Sequence, residues 1–297
     1  AESLTRLAKE SLMIASISGE SNLLALQDAI TELNIRTGLI PAEAPALSKS
    51  PKVFARTLIS HLLNKDSFSI GFYLQALDSN LRLVRDRLPS DHTRLAGAMR
   101  LALVNRLGNQ LPLEDRSLIV AIEALDNLGL QLAALTGLQS DRMTRDLGWR
   151  LLTIGRLIER LINLSQTLGT FFTYDASLSN RGFDMLLTLF DSTITYRTRY
   201  QRYQDINGLI ELLMLDNINP RAIAWILREL DQEIHHLPNT AKEIDGFSQI
   251  IKNCIPTIED TTDIIAYSEK VALAGKALSD EISGHYFAHI KEQRFAS

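Results

Sequence analysis

"DLGWRLLTIGRLIERL", residues 146–161, decides the fold. Leu147, Leu151, Ile154, Ile158 and Leu161 recur at three- and four-residue steps, one stripe of a helix turning about 100° per residue. Arg142, Trp149, Arg156 and Arg160 group on the nearly opposite face. Gly148 and Gly155 stack on the shoulder between the two, with Glu159 one turn beyond Gly155. Each glycine costs about 0.5–1 kcal/mol relative to alanine in a helix interior. Two aligned glycines therefore predict a close approach, by a neighbouring helix or a ligand, and a narrow crevice around Glu159. The competing reading is helix–helix packing with a rim salt bridge from Glu159 to Arg156 or Arg160.

The same periodicity runs through almost the whole chain, and two-residue alternation is missing. It predicts helices over 2–16, 22–36, 51–63, 68–88, 91–107, 113–136, 141–169, 180–203, 206–215, 220–236, 240–252 and 258–293. The fold class is all-α, a multi-helix bundle of about twelve helices. Ser50-Pro51, Ser90-Asp91, Ser140-Asp141 and Asn219-Pro220 supply helix starts, and Gly38 a helix stop. "LIPAEAPALSKS" (39–50) and "GTFFTYDASLSN" (169–180) read as loops too short to separate domains, so residues 1–297 are taken as a single domain. The chain opens on Ala1 inside a helical pattern, as the C-terminal part of a longer chain would.

Composition narrows the function classes. A net charge of -4 disfavours nucleic acid and anionic membranes as partners. No apolar run approaches the roughly 20 residues that span a bilayer, and the N-terminus lacks a signal-peptide grading. The single cysteine, Cys254, rules out an internal disulfide and suits a cytoplasmic setting. Between Lys65 and Lys242 there is no lysine but 18 arginines. Arginine's planar, permanent charge serves either structural salt bridges or recognition of carboxylate and phosphate.

Three local patterns stand out. In "DNINPRAIAW" (216–225), Asn219 as N-cap and Pro220 as first residue place Arg221 in a helix's first turn. A cation there opposes the helix dipole unless an anion, Asp216 or an external ligand, answers it. "YRTRYQRY" (196–203) puts Tyr196, Tyr200 and Tyr203 on one face, as core or cavity lining, and interleaves Arg197, Arg199 and Arg202. Glu281, His285 and His289 recur every four residues. Two histidines at that spacing can hold zinc, but no fourth ligand accompanies them, so a polar helix face is the preferred reading and no metal is expected. His235 and His236 suit a helix C-terminus. No nucleophile–base spacing is found, and Cys254 beside Ile255-Pro256 reads as packed.

The run Gly148-Trp149-Arg150, then Gly155-Arg156-x-x-Glu159-Arg160, resembles the signature helix of the alpha-E domain, a bacterial all-α family. "NLRLVRDRLPSD" (80–91), through Asn80, Arg82, Arg85 and Asp86, resembles another of its segments. "YRTRY" (196–200), "MLDNINPRAIAWILREL" (214–230) and "LSDEISGHYFAH" (278–289) come next in the family's order. One departure is that the family normally opens with an earlier Trp-x-Gly-Arg-x-x-Glu-Arg helix, and "AESLTRL" resembles the segment just downstream of that motif.

The resemblance implies association with ATP-grasp proteins, fused or separate, and hence with amide or peptide bond formation. The chain has no phosphate-cradling glycine loop, so no cofactor of its own is expected. The preferred expectation is an accessory, substrate-binding partner of an ATP-grasp amide ligase, holding an anionic peptide-like or phosphorylated ligand. Trp149, Arg156, Arg160, Arg221, Arg82, Arg85 and Arg197 are the candidate ligand contacts. The alternatives are an enzyme using Glu159 as general base for amide transfer or hydrolysis, and a structural interaction module.

Overall fold

The computed structural model describes residues 1–17, 23–84, 88–108, 115–201, 204–238, 241–257 and 263–293, with backbone alone at 115–117, 241–244 and 288–293. Among these residues the chain is all-α, with thirteen α-helices and no strand. It divides into two compact units, residues 1–144 with 174–185 and residues 145–173 with 186–297.

The first unit holds α1 (Glu2–Ser16), α2 (Leu24–Arg36), α3 (Pro51–His61), α4 (Ile70–Leu83), α5 (Ser90–Gly108) and α6 (Asp115–Arg142). Leu12, Leu26, Ile30, Phe54, Leu58 and Leu74 are fully enclosed in its core, and α6 packs along α1 and α5. Inside this apolar layer Asn34 donates to Ser11 Oγ at 2.8 Å, answering one buried polar group with another. The α6 segment Leu118–Arg142 is long and apolar enough to cross a membrane by length and composition, contrary to the expectation that no run approaches that length. Its Asp126 and Glu123 are paired with Lys9 and Arg106 in the bundle.

The second unit is built on α7 (Leu147–Thr173), which packs most extensively on α13 (Ile264–Gln293) and also on α11 (Ile223–His235). Ile154, Ile158 and Leu161 are buried as the apolar stripe requires, whereas Leu147, at the helix start, is 41% exposed. The glycine expectation fails in place though not in kind. Gly155 is exposed, with open space where a Cβ would stand, and Gly148 is exposed too, a Cβ there meeting only its own helix cap, 3.3 Å from Asp146 Oδ1. The close approaches fall elsewhere on the helix pair. A Cβ on Gly169 would lie 3.1 Å from Ser268 Cβ, and one on Gly275 2.8 Å from Ile162. Those glycines, not the signature pair, let α7 and α13 meet.

Several boundaries differ from the sequence reading, each for a local reason. Ser140-Asp141 starts no helix, because α6 runs on to Arg142. Asp146 starts α7 instead, its carboxylate accepting the Trp149 amide at 3.0 Å. Arg142 thereby leaves the signature helix and pairs with Asp91 at 2.7 Å. The helix expected over 180–203 is two, α8 (Asn180–Leu189) and α9 (Thr193–Tyr200). Asp191 between them sits at φ 51, a left-handed conformation that Asp tolerates better than most residues. α10 (Ile206–Ile210) passes into a π turn over Glu211–Leu215. Finally, α11 begins at Ile223 rather than Pro220, so Arg221 precedes the helix instead of occupying its first turn. α12 (Ala241–Lys252) completes the unit.

Candidate functional site

The loop Asp216–Arg221, between the π turn and α11, is folded by its own side chains. Asp216 Oδ1 accepts the amides of Ile218 at 2.7 Å and Asn219 at 3.2 Å. Asn219, 6% exposed, donates to Leu212 O at 2.9 Å and accepts the Arg221 amide at 3.1 Å. Asn219 is thus consumed in a turn around its own side chain, which is why it does not cap α11.

Arginines from three segments of this unit grip the loop. Arg199 of α9 pairs with the second oxygen of Asp216. Arg160 of α7 donates to Pro220 O at 3.4 Å. Arg221 reaches back to the α8–α9 junction, donating to Phe190 O at 3.2 Å and to Asp191 Oδ2 at 2.9 Å. The anion that answers Arg221 is therefore Asp191, not Asp216, and the strained φ of Asp191 marks the corner that presents it.

Beside the loop opens a cleft of about 600 Å³, lined by Arg199, Asn207, Glu211 and Asp216 with Ile210, Leu215 and Ile218. The π turn shapes it, since Asp216 N bonds Glu211 O at 3.0 Å across the widened turn; such turns recur where a helix must present side chains for function. Behind the cleft Tyr196 is buried, exchanging hydrogen bonds with the Asp205 backbone, its hydroxyl accepting the amide at 2.9 Å and donating to the carbonyl at 3.2 Å. Tyr200 stacks on it with ring centroids 4.8 Å apart. Gly208 leaves room for the Tyr200 ring, 3.0 Å from where a Cβ would sit. Tyr200 donates its hydroxyl to Glu211; burial first, then that bond and the nearby carboxylate charge, push the phenol up to about 12. Burial pushes the Asp216 carboxyl up, but the Ile218 amide, Arg199 and the Asn219 amide outweigh it and hold it below the usual carboxylate value. Arg199 is held above its ordinary value, chiefly by its bond to Asp216.

The other expected site residues disperse. Glu159 is exposed, so the enclosed crevice expected around it is not formed. Arg156 is half-buried on the same helix. Trp149 is half-buried, with the Arg145 guanidinium 5.3 Å from its ring centroid. Arg150 makes a largely enclosed ion pair with Glu233 at 2.8 Å, with side-chain exposures of 21% and 18%. Arg197 is exposed on α9. Arg82 lies in the first unit, paired with Asp78 at 3.1 Å, and Arg85 falls outside the described residues, as do Arg202 and Tyr203. Glu281 and His285 are exposed, His285 meeting Tyr286 edge-on, while the His289 side chain lies outside the described set. Among the described residues no group of three or more His, Cys, Asp or Glu is placed to hold a metal ion.

Sequence reasoning did not single out Arg199, Asn207 or Glu211 as candidate ligand contacts, and it read Tyr200 as core or cavity lining. The available signal was that "YRTRY" and "MLDNINPR" both bore the family resemblance; they meet in space at Arg199 and Asp216.

An all-α protein whose Glu-Arg helix braces a short arginine-gripped loop is the class that fold and site define. A family described as "a predicted alpha-helical domain with a conserved ER motif" matches residues 1–287, and the chain belongs to this Alpha-E family. Its one Glu-Arg dipeptide is Glu159-Arg160. Two curated relatives titled uncharacterized proteins, from Mycobacterium bovis (strain ATCC BAA-935 / AF2122/97) and Mycobacterium tuberculosis (strain CDC 1551 / Oshkosh), are each 25% identical over 162 residues. That match spans 54% of this chain and 18% of each relative. No solved structure matches the chain.

Proposed function

We propose that this chain is a binding module that serves an ATP-grasp amide ligase, fused or separate, by holding its peptide-like substrate at the Asp216–Arg221 loop and the adjoining cleft. The observation that carries this reading is the loop itself. Arg160, Arg199 and Arg221 come from three segments and are spent on fixing six residues, beside a cleft of ligand-binding size. Rigid presentation of a loop is what recognition needs, because ordering it on binding would cost affinity. The net charge of -4 favours a protein or small-molecule partner over nucleic acid, and one buried cysteine accords with a cytoplasmic setting.

The catalytic alternative has less support, since a general base works best in an enclosed site and Glu159 is exposed. The anionic ligand is supported by the gathering of three guanidinium groups at one loop. It is opposed by the acidic partners already facing Arg199 and Arg221.

The test is ligase turnover measured alone, with this chain, and with its Arg160→Ala variant. Turnover raised by the chain and lowered again by the variant is the expected result. Equal turnover in all three overturns the accessory role, and amide turnover by the chain alone, lost in Glu159→Gln, moves the assignment to an enzyme.

A further inference from the structure

We propose that the cleft beside the Asp216–Arg221 loop takes an organic cation, an alkylammonium or guanidinium group on an apolar stem, such as a lysine or arginine side chain of a peptide. This deepens the binding-module reading and rests on it. Three observations lead there.

The first is the charge count of the lining. Glu211 and Asp216 face a single guanidinium, that of Arg199. Asp216 is fully occupied, with one oxygen on two backbone amides and the other on Arg199, and it neutralises that arginine. Glu211 is the carboxylate left to set the sign of the cleft, and that sign is negative.

The second is how Glu211 is held. It opens the π turn and is exposed, and the Tyr200 hydroxyl donates to it. One neutral donor orients the carboxylate without cancelling its charge, and its remaining lone pairs stay available. The Tyr200 ring is in turn fixed by stacking on buried Tyr196 and by close contact with Gly208. A phenol is already protonated through the physiological range, and with its value pushed up to about 12 Tyr200 stays a donor rather than a competing anion well above it.

The third is the apolar wall. Ile210, just before the π segment, and Leu215, its last residue, line the cleft, and Ile218 projects from the loop with 78% of its surface exposed. An isoleucine so exposed on so constrained a loop offers apolar contact to a stem of several methylenes, each worth about 0.8 kcal/mol when buried. Asn207 adds an amide able to bond a ligand's peptide group. A volume of about 600 Å³ admits such a side chain together with its own backbone.

The experiment uses the full chain and three blocked amino acids, the N-acetyl amides of lysine, norleucine and glutamate. Binding is read from backbone amide shifts at Asn207 and Ile218. The lysine probe should shift both and bind roughly tenfold more tightly than norleucine, a difference of about 1.4 kcal/mol. Glu211→Gln, which keeps an acceptor for Tyr200 and should melt as the parent does, should erase that difference. A preference for the glutamate probe at the same amides overturns the cation assignment and leaves the cleft as a binding site. A lysine preference unaffected by Glu211→Gln overturns the role given to Glu211. If no probe moves either amide, both this proposal and the binding-module reading fall.

Discussion

Asp216 accepts two backbone amides and a guanidinium, more ionic hydrogen bonding than any other described group in the loop. Hydrogen bonds to a charged partner contribute about 1.5–3 kcal/mol each, net of the water bonds they replace. Replacing Asp216 with Asn should cost about 2 kcal/mol near neutral pH, measured by urea unfolding. The sign of its pH dependence is set by its lowered carboxyl value. The folded state holds the ionised form more strongly than the unfolded chain does, so the stabilisation is present above about pH 4 and is lost as pH falls through the folded value. The gap between parent and Asp216→Asn should accordingly narrow in acid; a constant gap would mean the carboxylate's charge contributes nothing. Tyr200 behaves oppositely. Its phenol is raised from the ordinary 10.0 to about 12, so stability present below pH 10 declines as pH climbs through that interval. Burial raises the Tyr196 phenol as well, so tyrosinate absorbance should show late-titrating phenols, one fewer in Tyr200→Phe. Arg221→Ala gives up an ion pair whose aspartate is largely exposed, and its cost should stay near 1 kcal/mol in the same unfolding assay. At this scale the sequence singled out Arg160, Arg221 and Arg197; the first two make contacts that hold the Asp216–Arg221 loop, and on α9 it is Arg199 rather than Arg197 that meets Asp216. Two residues apart on a helix point about 200° apart, and only the position of the neighbouring loop tells which of them has a carboxylate to meet.

Glycines distinguish the helices more sharply than their apolar residues do. α7 carries Gly155 in the open and Gly169 against Ser268, while α13 carries Gly275 against Ile162. Alanine at Gly155 gains helix propensity with nothing to displace and should raise stability by about 0.5–1 kcal/mol. Alanine at Gly275 gains the same propensity but forces Ile162 or the helix spacing to yield, an overpacking cost of about 1–3 kcal/mol. It should lower the melting temperature, and equal rises in both variants would refute the packing assigned to the α7–α13 seam. Helix existence was legible throughout because the 3.6-residue period is local. Helix ends were legible where a local residue fixes them, as at Ser50-Pro51, where α3 begins on the proline. They were misread where a candidate cap has a stronger use, as Asn219 does in the turn that supports Arg221.

The whole molecule partitions its core between two units, and each can be probed within itself. Leu125 in α6 and Leu164 in α7 are both fully enclosed. Truncating either to alanine should cost about 2–5 kcal/mol. Hydrogen exchange should then rise in α1, α5 and α6 for Leu125→Ala, and in α7, α11 and α13 for Leu164→Ala, tracking the packing of each helix. Protection lost only in the substituted helix would refute the packing described for that unit. By itself the sequence determined the all-α class, the run of helices, the apolar face of α7 and the landmarks that carry the family. Those depend on periodicity and on caps within a few residues, which the chain order contains. Only the tertiary structure decided that Asp191 rather than Asp216 answers Arg221, that Arg199 meets Asp216, and that Glu159 stands exposed. Each of these depends on which distant segment a charged side chain meets, and an arginine long enough to reach several acids leaves that choice to the packing of the helices that carry them.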